Sequence, residues 1–461
     1  MHIRNWSCLS AILTIAGCSW LSSPTTPQVN SPQQFDQAQG NYQSIESLPY
    51  LAWWQNFNDP KLNELIESSL KNNLDLEVAL SNLEQAQGQL RQVQLSWIPV
   101  VPILAGYSSN PGFGDIGTFY GIWPQYTINI AQLIKQQERA KYNLEMNKAM
   151  VDGVRLTVIG QVSSGYFTLI AQQEQLALLN RLNDDMNELV KILKQEVSIG
   201  LKDNVDLTGL MSQQQLIQAQ ISIATHNIIL SQNTLRYLLN QNPGTITNSN
   251  NFAKLDFNKF KPGALPATVL QNRPDLKMAE YAVKSAHAGV GVAYGNLFPS
   301  LQLDSFFGAG SSNGTIGNPV NYSPMQDAYI NWGINPSTFG EIEAQKGAYQ
   351  AQVYRYIQTV RKILKDVDND FSANRQYSSN YQSTQQAWKD LAEKYKLQQG
   401  LYQTGIMSYT QLLNNKIQLD NLALTVNQAK LQQAITVVNL YQDLAGGYKY
   451  RKPESTTSIT D

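Results

Sequence analysis

Asn72-Asn-Leu-Asp75-Leu76 recurs 200 residues later as Asn272-Arg-Pro-Asp275-Leu276. The same offset relates Ala79, Ala86 and Pro99 to Ala279, Ala286 and Pro299. Farther along the chain the offset rises by a few residues, and Ser198-Ile-Gly200 corresponds to Gln403-Thr-Gly405. A repeat of this length indicates that one structural unit has been duplicated. Each copy runs from a short helical segment through a strand-like patch to a very long helical stretch, an order that favours a tube over an enzyme.

The long helical stretches contain no proline, the main helix breaker, between Pro124 and Pro243 or between Pro336 and Pro453. Apolar residues inside both stretches alternate at spacings of three and four, the seam of a coiled coil. The seam residues are Leu176, Leu179, Asn183, Met186, Val190, Leu193 and Val197 in the first copy and Trp388, Leu391, Tyr395, Gln398 and Tyr402 in the second. A helix from about Leu133 to Ile199 would be on the order of 100 Å long.

Strand signals occupy equivalent places in the two copies. Tyr126–Ile130 and Ile330–Asn335 alternate apolar with polar residues, Leu301–Asp304 adds a similar piece, and Val100–Tyr107 is apolar with less regular alternation. The strands of each pair are separated by Gly-rich loops, at residues 110–117 and 310–319, which suit surface hairpins. Alternation of this kind is typical of transmembrane barrels. Four strands are too few to close a barrel, so we expect several chains to close it together.

The composition of the 461 residues excludes a nucleic-acid footprint, because charged residues are only 15% and the net charge is −1. No segment after the N-terminus has the 18 or more consecutive apolar residues of a membrane-spanning helix. A membrane crossing would then require a closed β-barrel, because open strands leave backbone groups unsatisfied in lipid. A duplication without an obvious linker also suggests one interlocked body rather than two or three domains.

The N-terminus has the layout of a secretory signal, with a basic end followed by an apolar run. Ile15-Ala-Gly-Cys18 resembles the bacterial lipobox, in which cleavage after residues 1–17 leaves Cys18 as the lipid-carrying first residue. Ser19 is similar to the residue of lipoproteins that are sent to the outer membrane. Residues 18–50, rich in Ser, Pro, Gln and Thr, read as an extended tether. A signal peptide with an incidental cysteine is the alternative.

Several motifs together resemble the TolC-type outer-membrane efflux factors, in particular their NodT-type lipoprotein branch. The motifs are Trp54-Gln-Asn-Phe-Asn-Asp-Pro60, Arg273-Pro-Asp275, Phe298-Pro-Ser-Leu301 and Tyr441-Gln-Asp-Leu-Ala-Gly-Gly-Tyr448. Most of these motifs also have a structural explanation: Pro274 and Asp275 suit the first turn of a helix, and Trp53 and Trp54 suit packing anchors.

The resemblance implies an α+β membrane protein with a duplicated TolC-like fold. Residues 51–250 would form the first repeat, residues 251–450 the second and residues 451–461 a C-terminal tail. Three chains, each giving four strands, would close a 12-stranded outer-membrane barrel continued by a periplasmic helical coiled-coil barrel. The implied function is a passive efflux conduit for drugs or metabolites. The implied partners are a periplasmic adaptor and an inner-membrane pump of the resistance-nodulation-division type.

The resemblance also places a periplasmic gate. Helix pairs of the family turn after a Gly, which matches Gly200 and Gly405. Best-known members carry two Asp residues, six and nine positions after the second Gly, whose carboxylate rings select cations. Here these positions are Gln411 and Asn414, so we expect a gate held more by hydrogen bonds than by ion pairs.

The remaining gate residues that the resemblance implies are a latch of Asp206 and Tyr402. The Arg that helps to hold this latch in the family is replaced by Met407. The alternative for Asp206 is that it simply faces solvent near a helix start.

An enzyme is the first rival class, but no catalytic motif or metal-ligand spacing is present, and His226 and His287 are isolated. We therefore expect no catalytic residue, no metal and no cofactor besides the covalent lipid on Cys18. The second rival is a non-conducting periplasmic coiled-coil scaffold. Within the channel class, type I protein secretion and metal efflux remain alternatives to drug or metabolite efflux.

Overall fold

The computed structural model describes residues 27, 29, 45–108, 117–247, 252–257, 271–312, 320–321 and 325–450. The predicted signal peptide, Cys18, nearly all of the predicted tether, the predicted tail and most of both predicted hairpin loops lie outside the described residues. Among the described residues, no helix is both long enough and apolar enough to span a membrane.

The helices repeat in order and in length. The first copy contains α1 (Pro60–Asn72), α2 (Leu74–Leu95), α3 (Ile130–Ser198) and α4 (Asn204–Leu238). The second contains α5 (Pro274–Gly295), α6 (Ser337–Gln403) and α7 (Tyr409–Asp443). Helices α2 and α5 each have 22 residues, α3 and α6 have 69 and 67, and α4 and α7 each have 35. The predicted long helices and the duplication of their order are therefore confirmed.

The strands form an antiparallel sheet. They are β1 (Ile103–Ser108), β2 (Gly117–Ile122), β3 (Gln125–Ile128), β4 (Ser300–Ser312), β5 (Val320–Asn321) and β6 (Met325–Asn331). Both β2 and β3 pair with β4, on either side of Trp123 and Pro124, and act as one interrupted strand. Likewise β5 and β6 pair with successive parts of β4. The six segments thus make four strand lines in the described part of the chain.

Strand boundaries differ from the sequence prediction at several places. Strand β1 begins at Ile103 rather than Val100, β4 continues to Ser312, beyond the predicted end at Asp304, and β6 begins at Met325, before the predicted start at Ile330. The predicted strand 126–130 ends at Ile128, because Asn129 caps α3: its Oδ1 accepts from the backbone N–H of Gln132 at 3.0 Å. The predicted strand 330–335 ends at Asn331, because its partner β4 begins at Ser300, opposite that residue. Strand β2 was not predicted, since its two glycines and the following Trp123-Pro124 obscure the alternation.

The chain divides into two compact units. Among the described residues, the first comprises Leu80–Met150 and Asp275–Val360 and contains the whole sheet. The second draws on Asn30–Ala79, Val151–Pro274 and Arg361–Asp461.

The core of the second unit is aromatic at one end. Trp53 and Trp54 are each only 1% exposed. The Trp53 ring stacks on Tyr441 with centroids 5.2 Å apart, and Trp54 meets the edge of Tyr450. The predicted role of both tryptophans as packing anchors is confirmed. Pro274 opens α5 and Asp275 lies in its first turn, as the sequence also predicts.

A buried lysine in the second unit holds the segment that joins the two repeats. Lys430 on α7 is 4% exposed, and its Nζ donates to the carbonyl oxygen of Ala253 at 2.7 Å. The same Nζ lies 5.3 Å from the centre of the Phe252 ring. Burial lowers the pKa of Lys430 to about 8, although Asp256 and Glu174 oppose this shift.

Candidate functional site

The two helical hairpins end in the same turn. Gly200 and Gly405 have φ of +77° and +74°, in the left-handed region that glycine occupies without strain. After α3, Gly200 N–H donates to Val197 O at 3.0 Å and Leu201 N–H to Glu196 O at 2.9 Å. This pair of bonds is the Schellman motif that satisfies the last carbonyls of a helix.

The turn after α6 repeats that motif. Gly405 N–H donates to Tyr402 O at 3.0 Å and Ile406 N–H to Leu401 O at 2.9 Å. Both predicted tip glycines therefore end their helices for the same physical reason.

The helices that follow the turns begin with different caps. Asp203 caps α4, its Oδ1 accepting from the N–H groups of Val205 and Asp206. Ser408 caps α7 through a capping box, in which Ser408 Oγ accepts from Gln411 N–H and Gln411 Oε1 accepts from Ser408 N–H, each at 3.2 Å. Side chain and backbone of Gln411 are thus engaged at the start of α7, while the residue stays exposed.

The other predicted gate residues also lie at these tips. Asn414 is exposed, and its Nδ2 donates to Thr410 O at 2.9 Å. Asp206 is exposed and 3.9 Å from Lys202 Nζ. The Tyr402 ring lies 5.4 Å from that of Tyr409. The described residues of the single chain show no hydrogen bond between Asp206 and Tyr402, and the latch stays a prediction.

Two polar contacts join α3 to α7 close to the tips. Tyr409 donates its phenol O–H to Glu188 Oε1 at 2.8 Å. This hydrogen bond, with smaller contributions from burial and from the charge of Glu188, raises the pKa of Tyr409 to about 12. Farther from the tip, Lys416 Nζ lies 2.5 Å from Oδ1 of Asp185, which is buried. An ion pair therefore accompanies the hydrogen bonds that the sequence predicts for this region.

Sequence reasoning missed these four residues. Asp185 and Glu188 flank the seam residue Met186, and acidic residues beside a coiled-coil seam are usually read as solvent-facing. Only the apposition of α3 with α7 reveals their partners. A signal was available in retrospect, because Lys416 is the first charged residue after an uncharged run that begins at Leu397.

Apolar packing supports the contacts beneath the tips. The predicted seam is confirmed over its central part, since Leu179, Met186, Val190 and Leu193 are buried. The cluster below the tips combines side chains of α3, α4 and α7. Its members are Leu182, Met186, Leu189, Ile217, Leu413 and Ile417.

The sheet has one apolar face and one polar face. Residues opposite each other in an antiparallel pair, and residues two apart in a strand, share a face. By the observed register, one face carries Ile103, Tyr107, Tyr120, Ile122, Leu301, Leu303, Phe307 and Ile330. The opposite face carries Gln125, Thr127, Gln302, Asp304, Asp327 and Asn331. The register also places five apolar or aromatic residues on this face: Leu104, Phe119, Phe306, Met325 and Tyr329.

The apolar face is exposed in the single chain: Ile103 is 84% and Ile330 is 71% exposed. Within the described residues, β1 pairs only with β2, and β6 pairs only with β4. Both outer edges of the sheet therefore offer unpaired backbone groups.

The described part of the chain contains no cluster of three or more His, Cys, Asp or Glu side chains placed to hold a metal ion. The predicted lipid-carrying Cys18 lies outside the described residues.

Comparison with known proteins relates the chain to outer-membrane proteins. The family described as "outer membrane efflux protein" matches residues 65–241 and 265–446. The chain is 25% identical to the probable outer membrane lipoprotein SilC of Salmonella typhimurium, over 95% of this chain and 98% of SilC. It is 24% identical to the toluene efflux pump outer membrane protein TtgC of Pseudomonas putida, over 94% of this chain and 93% of TtgC.

Among solved structures, the open state of the MtrE outer membrane channel of Neisseria gonorrhoeae has a similar fold. The TM-score is 0.80 at 23% identity, over 93% of this chain and 98% of MtrE.

Proposed function

Because the chain belongs to the outer membrane efflux protein family, we propose that it is the outer-membrane channel of a tripartite efflux system, with no catalytic role. It is a passive conduit through which an inner-membrane pump, joined by a periplasmic adaptor, exports drugs or metabolites. The observation that carries this proposal is the sheet, which has an exposed apolar face, a polar face and two unpaired edges. Such a sheet fits a structure with lipid on one side and water on the other.

The open edges support closure of the sheet by several chains, and the resemblance to the TolC-type factors sets the number of chains at three. About eight strands are needed to enclose an interior that side chains can fill. Four strand lines from each of three chains give a 12-stranded barrel, in which every edge of one chain pairs with the next. Helices α3, α4, α6 and α7 then continue the barrel into the periplasm. The Ser- and Pro-rich tether and a lipid on Cys18 add an anchor in the outer membrane.

The helix tips are the gate of this conduit. In the closed state, the Tyr409–Glu188 hydrogen bond and the Lys416–Asp185 ion pair hold α7 against α3. The ring at Gln411 and Asn414 is uncharged, so it lacks the carboxylates that select cations in a pore. We expect weak ion selectivity at this ring.

The test is single-channel conductance of the purified protein in planar bilayers, with ion selectivity taken from the reversal potential. Gln411→Asp and Asn414→Asp add carboxylates to the ring and are expected to raise cation selectivity. The matched control, Gln399→Asp, adds the same charge at an exposed position of α6. Equal ion selectivity in the wild type and the three variants would contradict this location of the gate. The channel function would be contradicted if the protein forms no trimers and shows no conductance, even after Tyr409→Phe.

The lipid anchor is tested separately by mass spectrometry of the N-terminal fragment. Acylation of the wild-type protein and its loss in Cys18→Ala are expected. An unmodified Cys18 in the mature wild-type protein would refute the anchor without affecting the channel.

A further inference from the structure

Helix α7 presents two aspartates to aspartates of other helices. Asp420 faces Asp185 of α3, and Asp443 faces Asp370 of α6. The two positions on α7 are 23 residues apart, which corresponds to roughly 35 Å along a helix. Carboxyl groups in contact repel each other when both are ionised, so each pair is stable only if it retains a proton.

The first pair includes a buried carboxyl group. Asp185 is 6% exposed, and its Oδ1 is the atom that contacts Lys416. Within the described chain, no donor from another residue contacts Oδ2 of Asp185 or Oδ2 of Asp420. The side chains of Asp420 and Asp185 are within hydrogen-bonding reach of each other. A proton on Asp420 supplies the donor that this contact lacks.

The charges around the first pair do not cancel the repulsion. Burial, followed by the hydrogen bond to Asp185 and its charge, raises the pKa of Asp420 to about 7, against the opposing effects of Lys416 and Arg181. The other titratable groups nearby are Tyr395 of α6, which faces Lys416, and the Tyr409–Glu188 pair, which lies one step closer to the tip. Lys416 and Arg181 both lower the pKa of Asp420, but burial and the neighbouring Asp185 outweigh them.

The second pair has the same arrangement. Arg273, the residue before α5, donates to the backbone oxygen of Asp443 and lies 3.2 Å from its Oδ1. The side chain of Asp370 is within hydrogen-bonding reach of the Asp443 side chain, and Asp366, on the same helix, adds a further negative charge. No donor in the described chain contacts the buried Oδ2 of Asp370. Burial, reinforced by the hydrogen bond to Asp443, raises the pKa of Asp370 to about 8. Here too burial and the neighbouring carboxyl groups outweigh the nearby cation, Arg273.

We propose that α7 is fastened at two levels by these carboxyl pairs, each of which holds one shared proton while α7 is seated against its neighbours. On alkalinisation each pair releases its proton to solvent and gains a second negative charge, which loosens α7 from α3 at one level and from α6 at the other. The direction follows from linkage: the seated form binds the protons more tightly, so a rise in pH through 7 to 8 favours the loosened form. The fastening of a helix that carries the gate residues is thereby coupled to pH.

Infrared spectroscopy of the purified full-length protein tests the proposal, because a protonated carboxyl has a carbonyl band distinct from that of a carboxylate. We expect a protonated band at pH 6 that is lost by pH 9, with a midpoint between about 7 and 8. Asp420→Asn and Asp370→Asn should each remove about half of this band, because each replaces one of two proton carriers. The matched control is Asp184→Asn, which alters the exposed neighbour of Asp185 and should leave the band unchanged.

Hydrogen exchange of α7 supplies the conformational readout. After correction for the intrinsic pH dependence, exchange around residues 420 and 443 should be faster at pH 9 than at pH 6 in the wild type. The Asn variants should lose this difference at their own level only. The proposal would be overturned if the infrared spectrum of the wild type shows no carboxyl that titrates between pH 6 and 9. It would also be overturned if hydrogen exchange of α7 in the wild type does not change with pH. Both results are read from the wild type, so they hold even if a variant fails to fold. Neither readout depends on conductance, so the outcome is independent of the channel function.

Discussion

Tyr409→Phe is the sharpest test of how the gate is held. The substitution deletes one oxygen atom and with it the 2.8 Å hydrogen bond to Glu188. The Tyr409 ring stays beside Tyr402, so packing at the tip changes little. Because its raised pKa keeps the Tyr409 phenol protonated through the physiological range, the phenol itself adds no pH dependence to the effect between pH 5 and 8.

The expected magnitude follows from the exposure of the bond. A hydrogen bond contributes about 0.5–1.5 kcal/mol net, and both partners are exposed, which places this one at about 0.5–1 kcal/mol per chain. In a trimer that opens in one step, three bonds sum to about 1.5–3 kcal/mol. Since about 1.4 kcal/mol is a factor of ten, the open probability should rise by about 10- to 150-fold.

Single-channel recording measures the open probability directly. The control is Tyr402→Phe, which removes a phenol oxygen from the neighbouring ring but no hydrogen bond of the described structure. An open probability that is unchanged in Tyr409→Phe, or raised equally in both variants, would refute the role of the Tyr409–Glu188 hydrogen bond in holding the gate.

Three further predictions concern stability. Ser408→Ala removes half of the capping box and should cost about 1 kcal/mol, seen as faster hydrogen exchange in the first turn of α7, whereas equal exchange would show that the cap is dispensable. Gly405→Ala should destabilise the protein by roughly 1–2 kcal/mol because the φ of Gly405 is +74°. Gly400→Ala in α6, where an added methyl group meets nothing within 4 Å, should stabilise it by about 0.5–1 kcal/mol. Thermal unfolding midpoints that move in the same direction in the two variants would contradict this prediction. The pKa of Lys430 is lowered in the folded protein to about 8, so the unfolded chain binds more protons up to about pH 10.4. Relative to Lys430→Met, the free energy of unfolding of the wild type should therefore rise between about pH 8 and pH 10.4 and be lost as the pH falls through 8. Thermal unfolding midpoints of the two proteins that follow parallel pH profiles would contradict the lowered pKa of Lys430.

Features that depend on nearby residues could be predicted from the sequence. The long helices follow from the absence of proline, the tip turns from Gly200 and Gly405, and the start of α5 from Pro274 and Asp275. In each case the deciding interaction spans no more than about one helical turn, so the sequence pattern contains it.

Features that depend on which helices face each other could not be predicted. Nothing local to Asp185 distinguishes a buried partner of Lys416 from an exposed charge, because the two residues are 231 positions apart. Arg273 shows the same limit: its neighbours Pro274 and Asp275 follow helix-start rules, whereas its own partner is Asp443. Strand β2 was missed for a different reason, since pairing with β4 compensates for a weak local pattern.

The two tip turns share one backbone geometry but differ in charge. The turn after α3 is flanked by Glu196, Lys202, Asp203 and Asp206, whereas residues 397–415 around the turn after α6 include no Asp, Glu, Lys or Arg. In the proposed trimer, charged and neutral tips would alternate around the periplasmic end. A protein docked on this end would make six tip contacts, three with charged turns and three with neutral turns. Added salt would weaken the three charged contacts and leave the three neutral contacts unaffected.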